Sequence, residues 1–405
     1  MRILYLCHRI PYPPNKGDKI RAFHQLKALS RVYEVDLFTL CDGPVDPEHR
    51  SALLQYCQSV TVVSLNPLFN RIRALPYLLT QVPLTVPCFH SPELHKKVRN
   101  ALAEQSYDRI FVYSSSMMQY IEPLNDIPIL MDLVDVDSNK WSQYSGFVSF
   151  PFSVLYRREA RCLRQLEQTI CNKAACVIVT TQREARLVTE ISTQTNVRVV
   201  PNGVDTEYFH VPQRQRSPRN PAIIFTGDMS YFPNTEAVAF FARKVLPIIR
   251  QSIRDVQFLI VGRTPTRGIR QLAAIGGVEI TGFVPDVRPY FERASVAVAP
   301  FSITAGIPNK ILEAMASGLP VVGTSRGVQG LIPAVGTKVD IGDTEEELAA
   351  KTVALLGDPS LARRKGLECR NLVSLNYDWE KTASQLLDLV EAPASFHAKE
   401  TSQPH

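Results

Sequence analysis

Phe301-Ser302-Ile303-Thr304-Ala305-Gly306-Ile307-Pro308-Asn309-Lys310-Ile311-Leu312-Glu313-Ala314-Met315-Ala316-Ser317-Gly318-Leu319-Pro320-Val321-Val322 is the stretch that decides the fold. It follows a short apolar run, Val296–Pro300, of strand length. A small glycine-containing loop comes next, then a helical pattern. Pro308 suits a first helical turn, where its missing N–H costs nothing. Gly318 stops the helix and Pro320 opens another strand. A strand that feeds through a small loop into a helix aims unpaired N–H groups and a partial positive charge beyond the strand's carboxyl end. Lys310 adds a full charge there and opposes the helix dipole by roughly 0.3–1 kcal/mol. An anion would offset that opposition. Glu313, three residues on, shares the face of Lys310. One face therefore offers donors for a diphosphate and a carboxylate for ribose hydroxyls. A surface Lys–Glu pair would explain an isolated K-x-x-E, but not its place after a buried strand and a glycine loop.

The same alternation runs outward in both directions. Ile3–Cys7, Val35–Leu40, Val60–Leu65, Ile110–Tyr113, Ile127–Met131, Cys176–Thr180 and Val197–Val200 are short apolar runs, mostly continuous, as in parallel strands covered on both faces. Ile20–Arg31 between the first two has the spacing of an amphipathic helix. Pro201-Asn202-Gly203-Val204-Asp205 is turn chemistry, and the polar stretch Gln213–Asn220 reads as a linker. The pattern then restarts with Ala222–Thr226, Gln257–Val261, Val278–Thr281, Val296–Pro300 and Pro320–Gly323, with helices at Thr235–Arg250 and Lys310–Ala316 between them. The expectation is an α/β protein of two Rossmann-like domains, 1–202 and 203–378, facing each other across a cleft. A helix at about 379–391 is expected to pack back on the first domain, and 392–405 to form a disordered tail.

Composition narrows the classes. The chain has 405 residues, 45% apolar and 21% charged, enough apolar material for two cores. A net charge of +6 without a basic run or an aromatic binding motif argues against nucleic acid. The eight cysteines form no C-x-x-C pair, which predicts buried thiols in a reducing compartment. Met1–His8 reads as a first buried strand rather than a signal peptide, and no run of about 20 apolar residues predicts a membrane span. A cytoplasmic protein is expected.

Other groups of residues suggest roles around a cleft. Lys16-Gly17-Asp18-Lys19-Ile20-Arg21 joins the first strand to the first helix, at the strand end where ligands bind. There Gly17 permits close backbone approach, Asp18 is placed to cap the helix, and Lys16, Asp18 and Arg21 are candidate acceptor or phosphate contacts. Asp132, Asp135 and Asp137 follow the strand Ile127–Met131, and Asp135 is a candidate for positioning the acceptor or taking its proton. His8 and His24 read as packed or surface histidines, with a general base as the sharper alternative. Ser114–Ser116 ends a strand and is a candidate acceptor-side segment. Leu65–Phe89, with Arg71 and Arg73, sets apolar residues beside basic ones, as does Phe147–Leu155 with Arg157, Arg158, Arg161 and Arg164 after it. That mixture suits an element at a membrane interface, the alternative being core helices.

The stretch 301–322 resembles the nucleotide-binding signature of family 4 glycosyltransferases of the two-domain (GT-B) type. Thr226–Asn234, Val261-Gly262-Arg263, Thr281–Asp286 and Pro201–Asp205 are similar to motifs of that family in the same order. Pro13–Arg21 and Met131–Trp141 resemble, more narrowly, bacterial sugar transferases associated with exopolysaccharide and PEP-CTERM protein-sorting systems. The resemblance implies that Gly282, Phe283 and Val284 meet the nucleobase, and that Gly227 lies near the diphosphate. It implies that Lys310 contacts phosphate oxygens with Asn309, Gly306 and Ile307 nearby, that Glu313 binds ribose, and that Gly17 closes over the donor. Two departures stand out. The first of the family's two glutamates falls at Ala305, and Asp228 replaces the usual arginine, so a phosphate cation is either missing or supplied from elsewhere, such as Arg263 or Lys16. Asp135-Val136-Asp137 matches the D-x-D of single-domain glycosyltransferases, but amides and a lysine already serve the diphosphate, so no metal or other cofactor is expected. The implied function is sugar transfer, with retention, from a nucleotide-sugar donor to a saccharide or lipid-linked acceptor of exopolysaccharide biosynthesis, with peripheral contact at the inner membrane. A catalytically degenerate partner subunit and a nucleotide-sugar epimerase are the alternatives.

Overall fold

The computed structural model describes residues 1–121, 127–210, 221–304 and 306–392. The linker at Gln213–Asn220, Ala305 and the tail from 393 onward lie outside them. The chain divides into two compact units, Met1–Val200 together with the segment from Ala383, and Pro201–Thr382.

The first unit is built on β1 (Arg2–Cys7), β2 (Glu34–Asp42), β3 (Ser59–Leu65), β4 (Arg109–Tyr113), β5 (Ile129–Val134), β6 (Cys176–Val179) and β7 (Val197–Val199). They form one parallel sheet in the order β3-β2-β1-β4-β5-β6-β7. The second unit holds β8 (Ala222–Thr226), β9 (Gln257–Val261), β10 (Val278–Gly282), β11 (Val296–Ala299), β12 (Val321–Gly323) and β13 (Asp340–Ile341), also parallel, in the order β10-β9-β8-β11-β12-β13. Both orders reverse direction next to the first strand of the sheet, the arrangement of a dinucleotide-binding fold, and ligands of such sheets bind outside the carboxyl ends at that reversal. Ile3, Leu4, Tyr5 and Leu6 are fully buried, as are Ile223, Ile224, Leu259 and Ile260, because helices cover both faces. Each such side chain contributes roughly 1.5–3 kcal/mol by leaving water.

Three elements differ from the sequence expectation, each for a local reason. The second unit starts at Pro201 rather than 203, because Val204 N–H donates to Tyr377 O and the Trp379 ring fills the space beside Gly203. The helix expected at Thr235–Arg250 starts at Phe232 and widens into a π turn over Phe241–Val245 before it resumes at Leu246–Ser252. Pro247 has no N–H to give to the preceding turn, and the wider turn absorbs the mismatch. The helix Trp379–Glu391 begins in the second unit, while Leu386 and Val390 farther along are buried in the first unit's core beside Ile3 and Tyr5.

All eight cysteines are free, and six of them are buried. Burial pushes the Cys7 and Cys57 thiols up to about 12, so neither is a nucleophile at neutral pH. No helix among the described residues is long and apolar enough to cross a membrane.

Candidate nucleotide site

The second unit concentrates its chemistry at the carboxyl ends of β8, β9 and β11, around the reversal of strand order. The helix after β11 runs Asn309–Ala316. Pro308 is its N-cap, one residue before the first helical turn, with φ −71° and ψ 100°. Its ring fixes the extended entry; Ile311 N–H bonds back to Pro308 O at 2.9 Å, and the amides of Asn309 and Lys310 before it have no carbonyl of the helix within reach. Ile311, Leu312 and Met315 bury the opposite face, so Lys310 and Glu313 keep the outer one.

Lys310 lies in a box of aromatic rings. Its ammonium is 4.5 Å from the Phe225 ring centroid and 5.0 Å from that of Phe301, and it donates to Asn234 Oδ1 at 2.5 Å. Among the described residues its nitrogen meets this amide oxygen and two ring faces, with no carboxylate at ion-pair distance. Burial pulls its pKa down to about 7, against the opposing pull of Glu313 and Asp228. Burial pushes Glu313 up to about 7, with Lys310 opposing. Two charges of this kind are expensive to keep dry, and an arriving diphosphate and ribose would satisfy both.

Glycines make the space. A Cβ on Gly227 (φ +153°) would meet Lys310 Nζ at 2.7 Å and Asn234 Nδ2 at 2.8 Å. A Cβ on Gly262 would meet the carbonyl oxygen of Gly227 at 1.7 Å, so the loops after β8 and β9 touch backbone to backbone. Gly306 has φ +63°, and its carbonyl occupies the place a Cβ on Gly330 would take, at 2.0 Å. Ile307 is buried, and Asn309 Oδ1 accepts from Asn202 Nδ2 at 3.0 Å.

The structure thus brings Gly227, Gly306, Ile307, Asn309, Lys310 and Glu313 to one edge of the sheet. Arg263 is there too, but its Nε pairs with Asp228 Oδ2 at 2.9 Å. The aspartate in the usual arginine's place therefore already engages one face of that guanidinium. Gly282 ends β10 farther along the same edge, and Phe283 and Val284 follow it, Phe283 69% exposed and Val284 packed on the core. Tyr208 connects the two ends. Its hydroxyl donates to Asp286 Oδ1 at 3.2 Å, Arg288 covers its ring at 4.2 Å, and its hydroxyl feels the charge of Glu313.

Sequence reasoning missed three of these residues as site members: Asn234, Asn202 and Tyr208. Asn234 and Asn202 stand inside the quoted motifs, and for Asn202 its place just before the turn glycine Gly203 is the available signal. Tyr208 has no such mark.

In the first unit the candidates separate. Lys16 is an exposed N-cap residue of the helix Gly17–Leu29, and Gly17 is exposed beside it. Asp18 does not cap that helix. Its carboxylate turns to Arg9 Nη1 at 3.0 Å and His8 Nε2 at 3.6 Å. Burial works against its charge, but His8 and Arg9 hold it well below the usual carboxylate range. An anion so placed does not attract phosphate. Arg21 is also not a surface cation. It is 1% exposed, pairs with Asp132 at 2.8 Å and donates to Val200 O at 2.9 Å. Its position on the helix turns it inward, where the sheet supplies the carboxylate. His8 is packed between Phe89 and Tyr113, and His24 lies edge-on to Phe23.

Asp135 follows β5, where the backbone is strained. Ser114 (φ +80°) follows β4 and Val134 (φ +66°) ends the adjacent β5, and a β-branched residue with positive φ is an outlier. Asp132 Oδ1 holds this turn by accepting from Val134 N–H at 2.8 Å. Asp135 accepts from Thr180 Oγ1 at 3.1 Å, and burial raises its pKa against the pull of Lys140. Asp137 pairs with Lys140. Among the described residues no three His, Cys, Asp or Glu side chains are grouped to hold a metal.

The geometry of the second unit, a diphosphate-sized set of donors at the reversal of a nucleotide-binding sheet, agrees with relationships to known proteins. Residues 19–208 match the family described as Glycosyltransferase Family 4, and residues 220–358 the family described as Glycosyl transferases group 1. The chain belongs to the family 4 glycosyltransferases, with the two Rossmann-like domains of the GT-B fold. It is 30% identical over 210 residues to a phosphatidyl-myo-inositol mannosyltransferase of Mycobacterium leprae, a match covering 49% of this chain and 54% of that protein. The chain thus spans about half the length of the curated relatives it matches. Among solved structures it is similar to a sucrose-phosphate synthase from Thermosynechococcus elongatus (TM-score 0.70, 21% identity, 96% of this chain and 98% of that one). It is also similar to HepE of Anabaena in complex with UDP and glucose (TM-score 0.67, 16% identity, 96% and 99%).

Proposed function

We propose that this protein transfers a sugar from a nucleoside-diphosphate donor to a saccharide or lipid-linked acceptor in exopolysaccharide assembly. The observation that carries the reading is the half-buried Lys310 ammonium, held by Asn234 and two rings with Gly227 keeping its approach open. The bond between the anomeric carbon and the diphosphate oxygen breaks, and its electron pair leaves with the diphosphate. Lys310 and the amides at the N-terminus of the helix Asn309–Ala316 stabilise that charge as it develops. Glu313 accepts from the ribose hydroxyls, and Phe283 offers an exposed ring to the base. The acceptor oxygen bonds to the anomeric carbon on the face the diphosphate leaves, so configuration is retained. Its proton passes to a base, for which Asp135 is our candidate. No metal is needed in this scheme.

The test is a panel of UDP-, GDP- and ADP-sugars, assayed with and without saccharide and lipid-extract acceptors. The expected result is release of nucleoside diphosphate that depends on acceptor, with label appearing in the acceptor. An altered sugar nucleotide formed without acceptor would replace this reading with an epimerase. Donor binding without turnover across the panel would replace it with a non-catalytic partner.

Asp135 gives a sharper test. Its carboxyl, raised by burial, is a stronger base near neutral pH than an ordinary aspartate. Asp135→Asn keeps shape and the Thr180 contact. It should lower kcat by about 10²-fold or more while leaving the donor KM unchanged. Unchanged kcat would remove Asp135 from the chemistry.

A further inference from the structure

The loop around the end of β5 is held by three buried carboxylates, each from a different element of the first unit. Asp132 of β5 accepts from the Val134 N–H at 2.8 Å. Glu184 of the helix Gln182–Ile191 accepts from the Val136 N–H at 2.7 Å. Glu167 of the long helix Phe152–Lys173 accepts from the Ser138 N–H at 2.9 Å and from the Ser138 hydroxyl at 2.5 Å. All three residues are at most 1% exposed. The amides of residues 134, 136 and 138 are thus each gripped by an anion, and Asp135 stands between the first two.

Helix capping alone does not account for this. Ser138 lies in the first turn of the helix Asp137–Ser145, where its amide has no helical carbonyl to bond. A neighbouring serine, threonine or aspartate side chain ordinarily satisfies such an amide. Here the acceptor for Ser138 comes from 29 residues along the chain, and the acceptor for Val136 from 48 residues along. A buried carboxylate is unfavourable unless it is paired. Glu184 has Arg183 at 3.2 Å, but Glu167 has, among the described residues, no cation at ion-pair distance. Both of its oxygens turn to Ser138.

What the three anions resist is backbone strain. Val134 has φ +66°, and Ser114, after the adjacent β4, has φ +80°. Such conformations persist only where the surroundings over-determine them, and they gather at sites of chemistry. Ser114 N–H donates to Asp132 O at 2.9 Å and Ser115 Oγ to Asp137 Oδ2 at 3.5 Å, so the two strand ends are joined. Between the gripped amides, the Asp135 carboxylate is fixed against Thr180 Oγ1 at 3.1 Å, and Thr180 N–H in turn bonds Val134 O at 3.0 Å. A shift at either gripped amide would carry the Asp135 carboxylate with the backbone.

We propose that Glu167 and Glu184 are positioning residues for sugar transfer, which brace the amides of Ser138 and Val136 so that the Asp135 carboxylate meets the acceptor hydroxyl in one fixed orientation. The proposal rests on the reading of Asp135 as the acceptor's base. Neither glutamate touches substrate, and the proton still passes to Asp135. Displacing a general base by about 1 Å lowers a rate by up to about 10²-fold.

The experiment is steady-state transfer by the full chain, with the nucleotide sugar and acceptor that turn over in the panel above. Glu184→Leu and Glu167→Leu should each lower kcat by about 10–10²-fold, with the donor KM and the thermal shift by nucleoside diphosphate unchanged. Glu184→Gln keeps an acceptor oxygen for the Val136 amide, and Glu167→Gln keeps one for Ser138, so each should restore most of the loss. Combined with Asp135→Asn, neither leucine variant should lower kcat further, because both act through the one carboxylate. Ser138→Ala removes a single hydroxyl bond and should lower kcat by about threefold with the same coupling, which carries the test if a leucine variant does not fold. Folded variants with wild-type kcat, beside an impaired Asp135→Asn, overturn the brace alone. A loss that adds in full to that of Asp135→Asn also overturns it, since that marks a general loosening of the fold. Wild-type kcat in Asp135→Asn, or no transfer across the panel, is instead a failure of the parent reading, and it removes the brace with it.

Discussion

Lys310→Met is expected to lower kcat/KM for the donor by about 10²–10³-fold and to abolish the thermal shift that nucleoside diphosphate gives the wild type. Methionine preserves the length of the side chain and its packing between Phe225 and Phe301, so the fold should survive. What is lost is the ammonium, and in this box it acts at low dielectric, where a charge facing a diphosphate counts for more than at the surface. The pH dependence follows from the same burial. Free Lys310 is brought down to about 7 by desolvation and Glu313 up to about 7 by desolvation, each opposed by the other's charge. Donor binding requires a protonated Lys310, and the bound diphosphate raises the lysine's pKa. A proton is therefore taken up on binding above pH 7, and affinity falls as pH climbs through that value, by up to tenfold per unit. Ribose recognition requires an ionised Glu313, so activity also falls as pH drops through the same region. The profile of kcat/KM should be a narrow bell centred near 7, its limbs belonging to the pair rather than to either residue. The profile of kcat should keep its alkaline side to higher pH, because there the donor is already bound. In Lys310→Met the alkaline limb should vanish and the acid limb remain. A profile flat across pH 7, or a methionine variant with wild-type kcat/KM, would remove Lys310 from its role.

The sequence made the second unit easy to read because its decisive signals are local. Strand, glycine loop, Lys310 and Glu313 lie within about one supersecondary unit, and periodicity alone orients them. Asn234 was harder. It reaches Lys310 across 76 residues, and nothing in its own neighbourhood reports that contact. The two-residue strand β13 leaves no periodic trace at all. Pro308 was read one position too far into the helix, since an N-cap and a first-turn proline look alike in one dimension. In the first unit, local rules misled. Asp18 sits where a helix cap belongs, but His8 and Arg9, in the loop that follows β1, compete for the carboxylate. The apolar and basic segments at 65–89 and 147–155 were legible as a mixture. Whether those side chains pointed in or out depended on Asn70, Arg158 and Glu159, whose partners are set by tertiary contacts.

Arg21 shows how large that tertiary term is, and its replacement should produce the greatest loss of stability. Its carboxylate partner, Asp132, is 111 residues away and 0% exposed. The same Asp132 oxygen accepts from Gln25 Nε2 at 2.5 Å, and Tyr5 OH donates to Gln25 Oε1 at 2.8 Å. Its other oxygen holds the strained turn at Val134. Among the described residues, Arg21→Met removes the full charge that faces Asp132 and leaves a buried carboxylate held by the Gln25 and Val134 N–H donors. The cost of breaking a buried pair from one side is about 3–5 kcal/mol. The first unit's unfolding transition in denaturant should shift accordingly, while nucleotide binding by the second unit persists under native conditions. The double variant Arg21→Met with Asp132→Leu should recover part of the loss, because no charge is then stranded, although Gln25 and the Val134 amide still lack their acceptor. The two readings of Arg21 separate cleanly here. A core arginine gives a protein that melts early and still binds nucleotide. A phosphate-contacting arginine would give one that melts normally and binds nucleotide weakly, and that outcome would return Arg21 to the ligand site.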